Sequence, residues 1–137
     1  MEKSIKITLF TLATLVSPLS IAAEIPLDFV KKEIEIAYSQ YFKGSPKSGL
    51  YALEALSRIL ELDKNKSLQS EIGPNNLSFT FFRIGLLHET SGDVISANIY
   101  FNKALKQYVG KPIKIGELKS YVSELDKRAQ LSNWKIM

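Results

Sequence analysis

Residues 78–111 read SFTFFRIGLLHETSGDVISANIYFNKALKQYVGK, and this stretch decides the fold. Large and small residues alternate in it at helical offsets, and the series is Phe81, Ile84, Gly85, His88, Gly92, Ala97, Phe101 and Ala104. Steps of three and four place side chains on one face of a helix, and Gly92 interrupts the series near its centre. The stretch therefore predicts two helices joined by a turn, with Asp93 capping the second helix.

This pattern resembles one tetratricopeptide repeat, a helix-turn-helix unit of about 34 residues that stacks on similar units and usually binds other proteins. The residues expected to hold the repeat together are Gly85, Gly92, Ala97, Phe101 and Ala104. Phe81 stands where the family usually has tryptophan, and Val109 stands where it usually has proline. The resemblance implies an all-α superhelix that acts as an interaction module rather than as an enzyme.

Amphipathic helices are predicted on both sides of this unit. The first covers residues 28–43, with Asp28 as its N-cap and Gly44 as a left-handed terminus, and its apolar face is Val30, Ile34, Ala37, Tyr38 and Tyr41. The second covers residues 46–62 and completes a first hairpin, with the apolar face Leu50, Leu53, Leu56, Ile59 and Leu60. The last begins after Pro112 and should cap the stack with the stripe Leu118, Tyr121, Val122, Leu125 and Ala129.

Residues 63–76 form a polar linker between the two hairpins. It contains Gly73, Pro74, Asn75 and Asn76, which are all turn formers. The linker is longer than the tight turn that usually separates repeats. We expect a passive connector, and the alternative is a local binding loop.

The first 23 residues are predicted to be a secretory signal peptide. Lys3 and Lys6 give a positive start, an apolar run follows, and small residues stand at Ala22 and Ala23. Cleavage after Ala23, or after Ala22, leaves one helical domain over residues 24–137. The alternative is an uncleaved membrane anchor, for which the run is short. We therefore expect an exported bacterial protein, periplasmic or secreted, without a stable membrane span after cleavage.

Composition excludes several classes of function. The net charge is only +4 and the lysines are scattered along the chain. Nucleic-acid binding needs a clustered basic surface, so we expect no nucleic-acid partner. Cysteine is absent, which excludes disulfides, thiolate metal sites and cysteine nucleophiles. His88 is the one histidine, so a histidine-based metal cluster is excluded, and we expect it to pack partly buried.

Motifs for catalysis are also missing. The glycine-rich run at residues 44–49 is followed by Leu50 and Tyr51, whereas a phosphate-binding loop needs lysine and serine or threonine there. Glu124 and Asp126 are two residues apart and thus lie on different sides of a helix, as solvated acids do. We expect no catalytic residue, no metal and no cofactor.

The resemblance places a bound partner in a concave groove lined by the first helix of each hairpin. The residues expected to contact it are Phe79, Phe82, Arg83, Leu86, Glu89 and Phe42. The same groove would extend over Lys32, Glu35, Ser39, Lys119, Ser123 and Asp126. Aromatic residues and arginine dominate interface energies, which favours contact at the first three. The alternative is that Phe79, Phe82 and Arg83 pack against the first hairpin or the last helix.

The leading hypothesis is a non-enzymatic adaptor or assembly factor whose partner is another protein or a peptide held by apolar pockets. The second hypothesis is a structural homo-oligomer that buries the same groove. A small enzyme, or an inhibitor of a cell-wall enzyme, is a remote third. The apolar residues Trp134, Ile136 and Met137 are expected to fold back on the last helix, or else to form an exposed docking tag.

Overall fold

Helices make up the regular structure of residues 24–131, the part of the chain that the computed structural model describes. They are α1 (Leu27–Lys43), α2 (Pro46–Glu61), a short α3 (Gln69–Ile72) with a 3-10 turn at Gly73–Asn75, α4 (Leu77–Thr90), α5 (Val94–Gln107) and α6 (Ile115–Leu131). The predicted all-α fold is confirmed, with two hairpins, α1–α2 and α4–α5, and a final helix. The predicted signal peptide and apolar tail lie outside the described residues. Within residues 24–131, no helix is both long and apolar enough to cross a membrane.

Three helices begin at a capping side chain, as helices do when an oxygen is available for their free N–H groups. The backbone N–H of Ser48 donates to Ser45 Oγ at 3.1 Å at the start of α2. Asn76 accepts from the N–H of Phe79 at 3.0 Å at the start of α4. Asp93 accepts from the N–H of Ser96 at 3.1 Å, which confirms the predicted cap of α5.

The ends of α1 differ from the prediction. Pro26 occupies the N-cap position, so Asp28 lies inside the first turn, where its charge suits the helix dipole. Gly44 ends the helix with φ −85°, which is not left-handed. A Cβ at Gly44 would lie 2.5 Å from Ser48 Oγ and 2.7 Å from the carbonyl oxygen of Gln40. Lack of space, rather than a left-handed conformation, therefore explains the glycine.

The core is built around α4, which packs most extensively on α5 and then on α2. All eight residues from Ser78 to Gly85 are buried, so α4 is covered on every side along this stretch, and its last residues reach the surface. The Phe82 ring stacks on Phe101 with 4.5 Å between centroids. The other helices contribute residues with less than 2% exposure, namely Val30, Ile34, Leu53, Leu56, Leu118 and Val122. Each such side chain contributes roughly 1.5–3 kcal/mol of burial free energy, so packing stabilises these helices more than propensity does.

The linker between the hairpins is folded rather than extended. The carboxylate of Asp63 accepts hydrogen bonds from the N–H and hydroxyl of Ser67 and from the N–H of Leu68. These bonds lead into α3, whose Ile72 is 3% exposed and joins the core. Gly73 then turns the chain with φ +51°, and Asn76 starts α4. The linker thus lies against the helical body at a defined place.

Candidate functional site

A buried polar cluster joins α1, α4 and α6 at Arg83. The Nε of Arg83 donates to Asp126 Oδ1 at 2.9 Å, and its Nη2 lies 2.9 Å from the same oxygen. The Nη1 of Arg83 donates to the carbonyl oxygen of Pro74 at 3.0 Å and to the hydroxyl oxygen of Tyr38. The hydroxyl of Tyr41 donates to Asp126 Oδ2 at 2.7 Å. One ion pair and two tyrosines therefore connect three helices and the linker.

The electrostatics of this cluster are balanced. Arg83 and Asp126 carry opposite charges, and within residues 24–131 every buried side-chain nitrogen and oxygen has a hydrogen-bond partner. Because all of these groups are hydrogen-bonded, the bonds help to offset the free-energy cost of removing the ion pair from water. Burial raises the pKa of Tyr38 although the positive charge of Arg83 opposes the rise. Burial also raises the pKa of Tyr41, and the nearby Asp126 carboxylate raises it further. Both phenols are thus protonated at neutral pH, and that of Tyr41 donates to Asp126.

The three residues with the strongest prediction of partner contact lie in the core. Phe79 is 5% exposed, Phe82 is 0% exposed and Arg83 is 3% exposed. This corrects the expectation that they line an open groove. The reason is that neighbouring helices cover them. Phe101 of α5 stacks on Phe82, whereas α6 brings Asp126 to Arg83 and Tyr121 to Phe79. In the described part of the chain, the concave face is therefore filled by side chains of the protein itself.

The other predicted contact residues are scattered. Leu86 and Phe42 are half-buried, and the Phe42 ring packs on Tyr41 with 4.9 Å between centroids. Glu89 is exposed and accepts a hydrogen bond from Lys119 Nζ at 2.8 Å. The residues predicted to extend the groove differ in exposure. Lys32, Glu35 and Ser123 are exposed, whereas Ser39 is half-buried.

Asp126 also differs from the sequence-based interpretation. It was expected to be a solvated acid like Glu124, but it is 9% exposed and is paired with Arg83. Glu124 is exposed and pairs with Arg128 one turn away on α6. Of these two acids, only Asp126 faces α4 and forms a buried ion pair, whereas Glu124 forms an exposed one.

An aromatic cleft of about 510 Å³ opens beside the buried cluster, where the linker, the end of α5 and α6 meet. Its apolar and aromatic lining residues are Pro74, Phe79, Tyr108, Val109, Tyr121 and Leu125. The Phe79 ring stacks with Tyr108 at 6.3 Å and meets Tyr121 edge-on at 5.6 Å between centroids. Tyr121 is 51% exposed, so one of these rings is open to solvent. The volume lies within the range of about 300–1,000 Å³ that is usual for ligand pockets.

The polar part of this lining carries no charge. Gln69, Asn76 and Gln107 contribute side-chain amides, and every other residue that lines the aromatic cleft is uncharged as well. An amide side chain both donates and accepts hydrogen bonds, as a peptide backbone does. The cleft can therefore hold an apolar or aromatic group together with the amide groups on either side of it.

A second cavity of about 210 Å³ adjoins the aromatic cleft and shares Gln69 and Gln107 with it. Its lining is charged and includes Glu61, Asp63, Lys64 and Lys66. The carboxylate of Asp63 already accepts three hydrogen bonds from Ser67 and Leu68. This cavity is smaller than the usual ligand pocket, so the aromatic cleft is the better candidate.

The imidazole ring of His88 packs against an aromatic side chain. Its imidazole stacks on Tyr100 with 5.5 Å between centroids, and its Nδ1 lies 3.8 Å from Asp93 Oδ2. That distance is too long for a hydrogen bond. No group of three or more histidines or acids among residues 24–131 is arranged to hold a metal ion.

Sequence reasoning missed the aromatic cleft. Tyr121 was expected in the buried stripe of the last helix, yet it is half exposed, whereas Leu118 and Val122 are fully buried. No sequence pattern predicted that Tyr108 and Pro74 would line a cleft with Phe79 and Tyr121. Tyr121 lies on α6, Tyr108 follows α5 and Pro74 lies in the linker, so no local spacing rule connects them. Only the way in which these elements pack brings the rings together.

A scan against protein-family models finds no match to this chain, and searches of curated proteins and of solved structures find none either. The two hairpins, the buried cluster and the aromatic cleft are therefore the observations from which a function is inferred.

Proposed function

We propose that this chain is a non-enzymatic, exported interaction module of tetratricopeptide-like construction, which binds a peptide segment of a partner protein in the aromatic cleft. One observation carries the proposal. The aromatic cleft is lined by uncharged residues and three aromatic rings, in a protein of which 23% of the residues are charged. Interface centres are depleted in charge and enriched in aromatic residues, which is the composition of this cleft.

The partner segment is expected to present an aromatic or aliphatic side chain. That side chain would lie against Tyr121 and Leu125, and the amides of Gln69 and Gln107 would hydrogen-bond to its backbone. A charged side chain would lose water in this cleft without gaining a counter-ion, which selects against it. The signal-peptide pattern and the resemblance of residues 78–111 to a tetratricopeptide repeat support a role as adaptor or assembly factor in a bacterial periplasm or outside the cell.

Selection from a random-peptide display library tests this proposal directly. The wild-type protein should enrich peptides with an aromatic or aliphatic centre and few charges, and Tyr121→Ser should lose them. Tyr51→Ser is the matched control, because Tyr51 is a 62% exposed tyrosine on α2 and does not line the cleft. Calorimetry of the enriched peptides with the three proteins then measures the loss in affinity. Absence of enrichment, or equal loss with both variants, would reject the proposal.

A homo-oligomer is the second candidate, and one observation favours it. Val94, Ile95 and Ile99 on α5 are 60%, 78% and 51% exposed, although all three are large and apolar. Burying them against a second copy would remove this surface from water. Sedimentation equilibrium of the wild type and of Ile95→Lys separates the candidates. A mass that rises with concentration in the wild type and not in the variant would support the oligomer.

A further inference from the structure

The second cavity continues the aromatic cleft, because Gln69 and Gln107 line both of them. Gln69 is the first residue of α3 and Gln107 is the last residue of α5. A partner segment that bonds to these two amides through its backbone lies across the boundary between the cleft and the cavity. An extended segment advances about 3.3 Å per residue, so residues close to its apolar anchor reach the second cavity.

The lining of the second cavity combines apolar and charged side chains. The apolar ones are Leu60, Ile72 and Leu77, of which the first two are 5% and 3% exposed. The charged ones are Glu61, Asp63, Lys64 and Lys66. At about 210 Å³ the cavity is small for a whole ligand. It suits a single side chain that has an aliphatic stem and a charged end.

The bonding of these charged groups indicates which sign of charge the cavity binds. The carboxylate of Asp63 already accepts three hydrogen bonds, from Ser67 and Leu68. No carboxylate among residues 24–131 lies within ion-pair distance of Lys64 or Lys66, and the same part of the chain offers Glu61 no cation. Two ammonium groups without a counter-ion thus face one carboxylate without one. The balance favours a negatively charged side chain.

The wall that α5 contributes strengthens this preference. Residues 94–116 include Lys103, Lys106, Lys111 and Lys114 and no acidic residue. Lys106 precedes Gln107, which lines both cavities, and Lys111 follows Val109 of the aromatic cleft by two positions. Both lysines are exposed. A positive surface of this kind attracts a negatively charged segment during its approach.

We infer that the partner segment carries an acidic side chain within about three residues of its apolar anchor, and that Lys64 and Lys66 bind its carboxylate in the second cavity. This inference rests on the function proposed above and names the class of its partner, an apolar-acidic peptide segment. The acidic side chain lies outside the aromatic cleft, whose lining remains uncharged.

The display selection described above tests the inference when it is repeated with a variant that lacks both charges. Wild-type protein should enrich Asp or Glu near the anchor and deplete Lys and Arg there. Lys64→Gln combined with Lys66→Asn should keep the anchor and lose the acidic preference. Asparagine is chosen at position 66 because the backbone there has φ +53°, which asparagine tolerates better than most residues.

Lys31→Gln combined with Lys32→Gln is the matched control. It also removes two positive charges, but these exposed lysines lie on α1 and line neither cavity. The acidic preference should survive in this control. Circular dichroism of both double variants checks that each is folded.

Calorimetry then measures the contact itself. Replacing the acid of an enriched peptide by its amide should weaken binding to the wild type roughly two- to fivefold, as expected for an exposed ion pair. The same replacement should weaken binding to the control equally and should leave binding to the Lys64→Gln, Lys66→Asn variant unchanged. Such non-additivity identifies two groups that interact.

Three results would overturn this inference and leave the proposed function intact. Anchored peptides are enriched without an acidic preference, or basic residues are enriched beside the anchor instead. In the third, the acidic preference persists in the Lys64→Gln, Lys66→Asn variant or is lost equally in the control. If the wild type enriches no anchored peptide at all, the proposed function is rejected together with the inference.

Discussion

At the scale of single residues, Gly85 is a position where α4 and α5 approach closely. A Cβ there would lie 2.5 Å from Cδ1 and Cε1 of Phe101 and 3.2 Å from the carbonyl oxygen of Ala97. Phe101 is 3% exposed and its ring is stacked on Phe82, so the ring has no free direction in which to move. The packing of the second hairpin therefore depends on the absence of one methyl group.

We predict that Gly85→Ala lowers the free energy of unfolding by about 1 kcal/mol, and by at most about 2 kcal/mol. Overpacking a filled core costs roughly 1–3 kcal/mol, and alanine recovers only about 1 kcal/mol through its better helix propensity. Urea unfolding followed by circular dichroism measures the difference. The larger Gly85→Leu substitution should be more damaging still.

Gly116→Ala is the matched control for this substitution. Gly116 also lies in a helix, α6, but no atom lies within 4 Å of the Cβ that would be added there. Only the propensity gain of at most about 1 kcal/mol remains, so this variant should be as stable as the wild type or more stable. Destabilisation of equal size at both glycines would contradict the close approach at Gly85.

At the scale of elements, the start of α4 is held by two side-chain hydrogen bonds. Asn76 ends the linker and caps the helix, and the eight buried residues begin two positions later at Ser78. Ser78 Oγ donates to the carbonyl oxygen of Ala104 at 2.8 Å, which ties the first turn of α4 to the end of α5.

We predict that Asn76→Ala destabilises the protein by about 1 kcal/mol, the usual cost of losing a side-chain cap. Asn98→Ala is the control, since Asn98 lies exposed in the middle of α5, where alanine is the better helix former by a few tenths of a kcal/mol. The melting temperature should fall in Asn76→Ala and should stay the same or rise in Asn98→Ala. Matching shifts would show that Asn76 does not act as a cap.

At the scale of the whole molecule, the cluster around Arg83 connects parts of the chain that are far apart in sequence. Arg83 and Asp126 are 43 residues apart, and Tyr41 and Asp126 are 85 residues apart. These contacts hold α1 and α6 on the same face of α4. They also position Leu125, the neighbour of Asp126, on the wall of the aromatic cleft.

We predict that Asp126→Asn lowers the free energy of unfolding by roughly 3–5 kcal/mol, because it leaves the buried guanidinium of Arg83 without its counter-ion. Glu124→Gln breaks a nearby ion pair on the same helix, but that pair is exposed and should contribute at most about 1 kcal/mol. Replacing both buried partners, as in Arg83→Met with Asp126→Leu, should recover part of the loss. Equal effects of Asp126→Asn and Glu124→Gln would contradict a buried pair.

Alkaline pH should also destabilise the fold. Tyrosines of the unfolded chain ionise near pH 10, whereas burial raises the pKa of Tyr38 and Tyr41 in the folded protein. Above about pH 10 the folded state therefore binds more protons than the unfolded state, so stability falls as pH rises. Denaturant midpoints across this range measure the slope, and Tyr41→Phe should make it shallower. An unchanged slope in Tyr41→Phe would show that Tyr41 ionises alike in both states.

The secondary structure of this protein was predictable because it depends on neighbours in sequence. The second hairpin, its turn at Gly92 and the cap at Asp93 follow from residues a few positions apart, and the structure confirms them. The small residues at Gly85, Ala97 and Ala104 are likewise buried where helices cross. The end of α1 was less predictable, since the need for Gly44 comes from Gln40 and Ser48 rather than from its backbone angle.

The sequence by itself determined the class of fold and the helical hairpins, because periodicity and capping are local properties of the chain. The tertiary structure alone decided which elements cover each face of α4. Phe79, Phe82 and Arg83 have the types of side chain that partners contact, but other helices cover them. Phe101 of α5 stacks on Phe82, whereas α6 brings Asp126 to Arg83 and Tyr121 to Phe79. The aromatic cleft likewise exists only because three separate elements meet. Contacts between distant elements depend on how the helices pack. The spacing of residues along one helix does not show which other helix will lie against it.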